Sequence, residues 1–210
     1  MKIVLFGASG KTGQVLLKKA LQEGHEVVAY VRRSASIAIS HPSLAIVEGQ
    51  LHETQKIQEI MRGVDACIST LGGASLTKRS PQIVDGIQQI IQTMEKERVP
   101  RFLYLSSFGA SESKKYMPQP IRFLICDCIL RVPLSDHNIN EKRIFESSLE
   151  WTIFRPGGLS NGPETNKIKH GSEAFTLKGN PSISRENVAR FMLQQLSDAS
   201  YVRKSVWMFE

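Results

Sequence analysis

No apolar run in this sequence approaches the ~18 residues that a membrane-spanning helix needs. No Gly/Ser-rich or Pro-rich stretch divides the chain, so residues 1–210 read as one domain, and 41% apolar composition is enough to fill its core. Cysteine is scarce: an i, i+2 pair (Cys126, Cys128) and the distant Cys67 match neither a disulfide framework nor a zinc spacing. All three are expected to be reduced and buried. A leader segment is not expected either, because strand-like residues begin directly after Met1, and the expected location is cytoplasmic. The formal charge is +7, yet 27 basic residues are scattered among 20 acidic ones with no long basic run and no aromatic-interleaved stripe. Neither a nucleic acid nor a membrane is therefore expected as a partner, and the chain is expected to be a monomer or a weak homodimer.

What the sequence does contain is a glycine-rich turn placed between two strongly patterned segments. Lys2 to Phe6 reads as a strand, Gly7-Ala8-Ser9-Gly10-Lys11-Thr12-Gly13 follows, and Leu16, Leu17, Ala20 and Leu21 form a helical stripe. A helix N-terminus has unpaired N–H groups and partial positive charge, so a diphosphate is its natural guest. In this spacing Gly7 makes the exit from the strand, Gly10 lets a ligand approach bare backbone, and Gly13 lets the helix lie close to the sheet. A P-loop would need a glycine where Leu5 stands, so that reading fails. About 20 residues on, where an NAD site usually carries a carboxylate, the sequence has Arg32-Arg33; two guanidiniums suit a 2′-phosphate, and NADP(H) is expected over NAD(H). Lys11 adds charge to the same region, and Lys78 and Arg79 are candidates to join it.

The remaining pattern alternates strands and helices. Strands are expected at 25–31, 44–48, 65–71, 101–107, 151–155 and 206–209, and helices at 11–23, 54–63, 81–99, 136–148 and within 184–197. Gly24 should close the first helix, Ser80 should cap the third through its hydroxyl, and Asp136 should cap the fourth, whose Ile139, Ile144 and Phe145 should face inward. Residues 111–133 resist assignment, although 121–132 are apolar enough for a buried helix or an interface. The fold class is α/β: a single doubly wound Rossmann-type domain with a mostly parallel sheet flanked by helices. The substrate side should come largely from about 108–135 and 158–183. Ser106 and Ser107, at the C-terminal end of a strand, face the ligand crevice of such a sheet.

These motifs, together with Val31-Arg32-Arg33, Thr70-Leu71-Gly72, Leu105-Ser106-Ser107 and Arg155-Pro156-Gly157-Gly158-Leu159, give a chain that resembles the atypical short-chain dehydrogenase/reductases. The resemblance is to the NAD(P)H-binding branch that includes flavin reductase (biliverdin-IXβ reductase) and the NmrA-like proteins. It implies that Ser9 and residues 10–13 hold a diphosphate, Arg32 and Arg33 a 2′-phosphate, and Gln50 and Leu51 an adenine. It also implies that Leu71, Gly72, Ser107, Pro156 and Gly157 surround a nicotinamide. None of the four tyrosines has a lysine four residues later, so the Tyr-x-x-x-Lys pair of typical members is missing. His137 and Glu141 stand at the corresponding place with i, i+4 spacing; His137 is a candidate acid whose pKa Glu141 would raise, against a helix-surface pair with no role. Ser107 is expected to position an acceptor by hydrogen bonding. The expected activity is NADPH-dependent hydride transfer to a flavin-, quinone- or tetrapyrrole-like small molecule. The alternatives are a non-catalytic NADP(H) sensor of NmrA type and, less favoured, a nucleotide-sugar epimerase or dehydratase.

Overall fold

The computed structural model describes every residue except 74, 176 and 178–180. Its strands are β1 (Lys2–Phe6), β2 (Glu26–Val31), β3 (Leu44–Glu48), β4 (Ala66–Ser69), β5 (Arg101–Leu105), β6 (Glu150–Pro156), β7 (Gly158–Ser160), β8 (Lys169–Gly171), β9 (Ser182–Ser184) and β10 (Lys204–Phe209). The α-helices are α1 (Lys11–Gln22), α2 (Thr54–Met61), α3 (Pro81–Glu97), α4 (Arg131–Phe145) and α5 (Arg185–Gln194). Eight strands form one sheet in the order β3-β2-β1-β4-β5-β6-β10-β8, parallel throughout except for β8. The single Rossmann-type domain expected from the alternation is therefore present. β1 lies between β2 and β4, so the chain reverses its direction of travel across the sheet at β1, and the ends of β1 and β4 open a crevice there.

Strand alternation divides the core into two layers. Ile3, Leu5, Val27, Ala29, Leu103 and Phe154 face α1 and α5, whereas Val4, Phe6, Val28, Tyr30, Phe102 and Tyr104 face α2, α3 and α4. The leucine stripe of α1 is buried as its spacing requires, each side chain contributing about 1.5–3 kcal/mol of burial. A third cluster, with Phe108, Met117, Cys126, Leu134 and Phe209, lies beyond the C-terminal ends of β5 and β6.

Several local expectations are corrected. Ser80 is the N-cap of α3 by position, but its hydroxyl makes no capping bond. Asp136 does that work from elsewhere: it lies inside α4, which begins five residues earlier than expected, and its carboxylate accepts from the Ser80 N–H at 2.8 Å and from Arg79 at 3.1 Å. Arg79 is thereby paired with Asp136, its side chain still 55% exposed. Of the three apolar residues expected to face inward from α4, Ile144 is fully buried, Ile139 is half-buried, and Phe145 is exposed beside Trp151. Cys67 and Cys126 are buried but Cys128 is exposed. The unassigned stretch resolves into a 3₁₀ segment, Ser111–Tyr116, and a π-helical turn, Phe123–Ile129, that leads into α4. The 158–183 stretch holds two short strands and the start of a third, while positions 176 and 178–180 within it lie outside the described residues.

Candidate active site

The glycine turn is shaped by close contacts. Gly7 has φ +84°, and a Cβ there would sit 2.7 Å from Thr70 Oγ1, so side-chain-free backbone is needed for both reasons. The Thr70 hydroxyl donates toward the Gly7 carbonyl at 3.1 Å, which ties the exit of β4 to the turn. A Cβ on Gly13 would lie 2.1 Å from the Gly7 carbonyl oxygen, whereas one on Gly10 would meet only that same oxygen at 3.3 Å. Gly13 is thus a packing glycine, and Gly10 leaves one side of the turn open. Among the described residues no side chain caps the N-terminus of α1, and its first turn carries no acidic residue. These features fit a diphosphate of a dinucleotide, which the Gly7–Gly13 backbone, Ser9 and Thr12 would hold.

Arg32 and Arg33 follow β2 and are both exposed. The region is less free of negative charge than the sequence suggests, because β3 pairs Glu48 with Val31 and Glu48 Oε2 accepts from the Ser34 N–H at 2.7 Å. Hydrogen bonding from Ser34 holds the Glu48 carboxyl below the usual carboxylate range, with Lys56 and Arg33 adding to it. Arg33 therefore has a carboxylate neighbour and Arg32 is the freer cation. Arg32→Ala should weaken NADPH binding by ~10–100-fold and NADH binding much less, read from titrations of both cofactors; equal losses would remove the 2′-phosphate role. Gln50 is exposed at the neighbouring strand end, with its carbonyl accepting from Tyr30 Oη at 2.9 Å. Leu51 is half-buried against Gly86 of α3, where a Cβ would stand 2.6 Å from Leu51 Cδ1. A glycine in the middle of a helix was the signal for that contact.

A cavity of about 240 Å³ opens at the ends of β4, β5 and β6, lined by Thr12, Thr70, Leu71, Gly72, Leu105, Ser106, Ser107, His137, Pro156, Gly157 and Leu159. The structure thus brings together residues from five separate sequence motifs, including both candidate catalytic side chains. Ser107 is half-buried, with its hydroxyl 3.4 Å from the Phe108 carbonyl. Ser106 is turned away from this role: its hydroxyl donates to Glu141 Oε1 at 2.6 Å. Gly157 is a close-approach position, since a Cβ would stand 2.4 Å from the Pro181 carbonyl oxygen.

His137 and Glu141 share a helix but not a function. Glu141 is fully buried and bonded to Arg155 on β6, with Nη2 to Oε2 at 2.7 Å and Nε to Oε1 at 3.0 Å. Arg155 also reaches Glu112 at 2.6 Å, and the Ser111 hydroxyl donates to Glu141. Ser111 adopts φ +47°, an uncommon conformation for serine that this network holds in place. Burial alone would lower the Arg155 pKa, but hydrogen bonds and charge from Glu141 and Glu112 outweigh it and the net direction is up. An arginine following the apolar residues Trp151–Phe154 within one buried strand is the sequence signal for this network.

The partner of His137 is Tyr104. Asn140 Nδ2 donates to Tyr104 Oη at 3.0 Å, and the same oxygen lies 2.9 Å from His137 Nδ1. A phenol that donates to Nδ1 leaves the proton of the neutral imidazole on Nε2, and one that accepts from Nδ1–H leaves it on Nδ1. Burial lowers the pKa of His137, with Glu141 and Asp136 opposing the shift without reversing it, which corrects the expectation of a raised value. Because the folded value is depressed, the stability linked to neutral His137 is present above the ordinary histidine pKa of about 6.5. It is lost as the pH falls through the folded value. Melting temperatures measured between neutral and acid pH should fall less steeply for His137→Gln than for the parent; parallel curves would argue against a neutral, half-buried imidazole.

A family model described as NAD(P)H-binding matches residues 7–199, from the glycine turn to beyond α5. The chain belongs to the NAD(P)H-binding family. The cofactor expected from the turn is the one its family binds. This NAD(P)H-binding chain is 23% identical over 98% of its length to the photosystem II assembly factor Ycf39 of Synechocystis, of which it spans 61%. A short-chain dehydrogenase/reductase of Veillonella parvula solved with NADP superposes with a TM-score of 0.83 at 20% identity, over 100% of this chain and 94% of that one. The anaerobilin reductase ChuY of Escherichia coli O157:H7 superposes with a TM-score of 0.80 at 23% identity, over 100% and 97%. At these identities the two structures bear on the fold alone. No described helix is long and apolar enough to cross a membrane.

Proposed function

We propose that the protein is an NADPH-dependent reductase that transfers hydride to a conjugated small-molecule acceptor of flavin, quinone or tetrapyrrole type. The observation that carries this reading is the Asn140–Tyr104–His137 chain, whose imidazole lines the same cavity as Thr70, Leu71, Gly72 and Ser107 and, with Tyr104 donating to Nδ1, offers an Nε2–H. When bound, the nicotinamide supplies the hydride. The protein's own contribution is orientation and proton placement: the glycine turn and Arg32 hold the phosphates, and Leu71, Pro156 and Gly157 form the wall beside the reacting ring. Ser107 and His137 present donors to the acceptor's polar atom, and negative charge that builds there is stabilised by them. A conjugated acceptor delocalises that charge, so no Tyr-x-x-x-Lys pair is needed. The acceptor side is formed by 108–135 and by the described part of 158–183.

NADPH oxidation measured against FMN, riboflavin, a quinone and biliverdin, with NADPH binding checked in the same sample, tests the proposal. Turnover with one of them supports it. Tight binding with no turnover across the panel favours the sensor reading, which has in its support the similarity to a protein named as an assembly factor. Within the reductase, Tyr104→Phe should lower kcat about tenfold and leave NADPH affinity unchanged, since it frees the His137 tautomer without touching the cofactor turn. An unaltered kcat would remove His137 from the donor role.

A further inference from the structure

The stretch 118–130 presents its apolar side chains outward. Phe123 is 60% exposed and Leu124 57%, and Ile121 and Ile129 are exposed as well. This is not a loose segment, because its inner side is anchored: Cys126 is buried with Sγ 3.4 Å from Met117 Sδ, and Ile125 and Leu130 pack on the cluster that contains Phe108 and Leu134. A soluble surface seldom groups four large apolar side chains, two of them adjacent and more than half exposed, unless they meet something.

The charges around the patch say what it meets. The two nearby carboxylates are already paired, Asp127 with Lys114 and Glu112 with Arg155. Arg122 finds only the uncharged amide of Gln119, and among the described residues Lys115 and Arg131 have no carboxylate within ion-pairing distance. The five positions outside the described residues are Ala, Thr, Lys, Gly and Asn, so they add no acid. The unspent charge on the rim is of one sign. A two-fold contact with a second copy would set these cations against themselves, whereas an anionic lipid surface offers apolar depth for Phe123 and Leu124 and phosphate charge for Arg122, Lys115 and Arg131.

We propose that this face docks on the surface of an anionic bilayer, inserting Phe123 and Leu124 at the headgroup boundary. The absence of a spanning run is no obstacle, because interfacial binding needs none. Its position is apt, since Cys126 and Leu134 pack against Gly109, two residues from Ser107 in the cavity wall. The docking stands whether or not the cavity is catalytic.

Co-sedimentation of the full chain with vesicles tests it, using phosphatidylcholine alone and phosphatidylcholine mixed with phosphatidylglycerol. The chain should sediment with the mixed vesicles and hardly with the neutral ones. The bound fraction should fall about tenfold in a Phe123→Ser, Leu124→Ser double variant, and Arg122→Glu should weaken binding to the anionic vesicles only. Because the two serines replace exposed side chains, the double variant should keep the parent's melting temperature and NADPH affinity, which separates lost docking from lost folding. No sedimentation with either composition, or equal sedimentation of the double variant, overturns the proposal. A concentration-dependent dimer in light scattering that the double variant abolishes would overturn it too, assigning the face to a second copy.

Discussion

Arg155→Ala should destabilise the protein by about 3–5 kcal/mol, a drop in melting temperature of roughly 6–20 °C for a domain of this size. The guanidinium is 3% exposed and the Glu141 carboxylate 0%, so removing the cation leaves a buried anion whose remaining partners are the Ser106 and Ser111 hydroxyls. The second pair, with Glu112, contributes much less, since that carboxylate is 44% exposed and solvent screens it. The cost is one of unpairing rather than of lost attraction. A double variant, Arg155→Met with Glu141→Leu, should therefore recover much of the loss. If the double variant melts no higher than Arg155→Ala, the destabilisation comes from packing and not from a stranded charge. The same network holds Ser111 in its uncommon conformation and joins β5, β6 and α4 behind the cavity, so Arg155→Ala should also blunt any turnover before it affects cofactor affinity.

The second large effect separates two glycines that look alike in sequence. Gly13→Ala places a methyl group 2.1 Å from the Gly7 carbonyl oxygen and 2.9 Å from Ala8 Cα, both backbone atoms. Helix α1 must then move away from β1, which overpacks or opens the α1 and α5 layer at about 1–3 kcal/mol and misplaces the N–H groups of the first turn. NADPH affinity should fall more than tenfold together with stability. Gly10→Ala meets only one oxygen at 3.3 Å, so the fold should be nearly unaffected, but its methyl stands where a diphosphate must approach. Titration and thermal melts of both variants decide the matter: stable Gly10→Ala protein that binds NADPH as well as the parent would remove the diphosphate from this turn.

The parts of this molecule that local pattern could reveal were those in which each residue's environment follows from its neighbours in the chain. β1 occupies the expected residues and α1 ends one residue early, because an unbroken apolar run and a leucine stripe already state what is buried; β3 also matches its expected bounds, although its Ala45 and Ile46 are exposed. The glycine turn was legible for the same reason. What was not legible depends on partners far away in sequence. Asp136 looked like a cap for its own helix and caps α3 instead, 56 residues back. Glu141 looked like a neighbour for His137, but Arg155 and Ser106 claim it, and nothing in i, i+4 spacing records that competition. β8 has only three residues, two of them Lys169 and His170, and becomes a strand because β10 offers an edge. Tyr104, an apolar-strand tyrosine by pattern, matters through a hydroxyl whose partners both come from α4.

The position of β10 in the sheet sets an order of construction. β10 is the last of the described strands along the chain, yet it lies between β6 and β8, and three pieces of structure near the cavity depend on it. Gly157 N–H bonds to the Met208 carbonyl, Phe209 packs edge-on against Phe108 at 4.9 Å between ring centroids, and among the described residues β8 pairs with β10 alone. The glycine turn itself is made by β1, α1, β2, β4 and the Thr70 hydroxyl, all present by residue 70, although α1 still lacks its packing partner α5 at that stage. A chain emerging from the ribosome therefore carries the glycine turn and the strands beside it while the cavity wall around Phe108 and Gly157 still waits for β10.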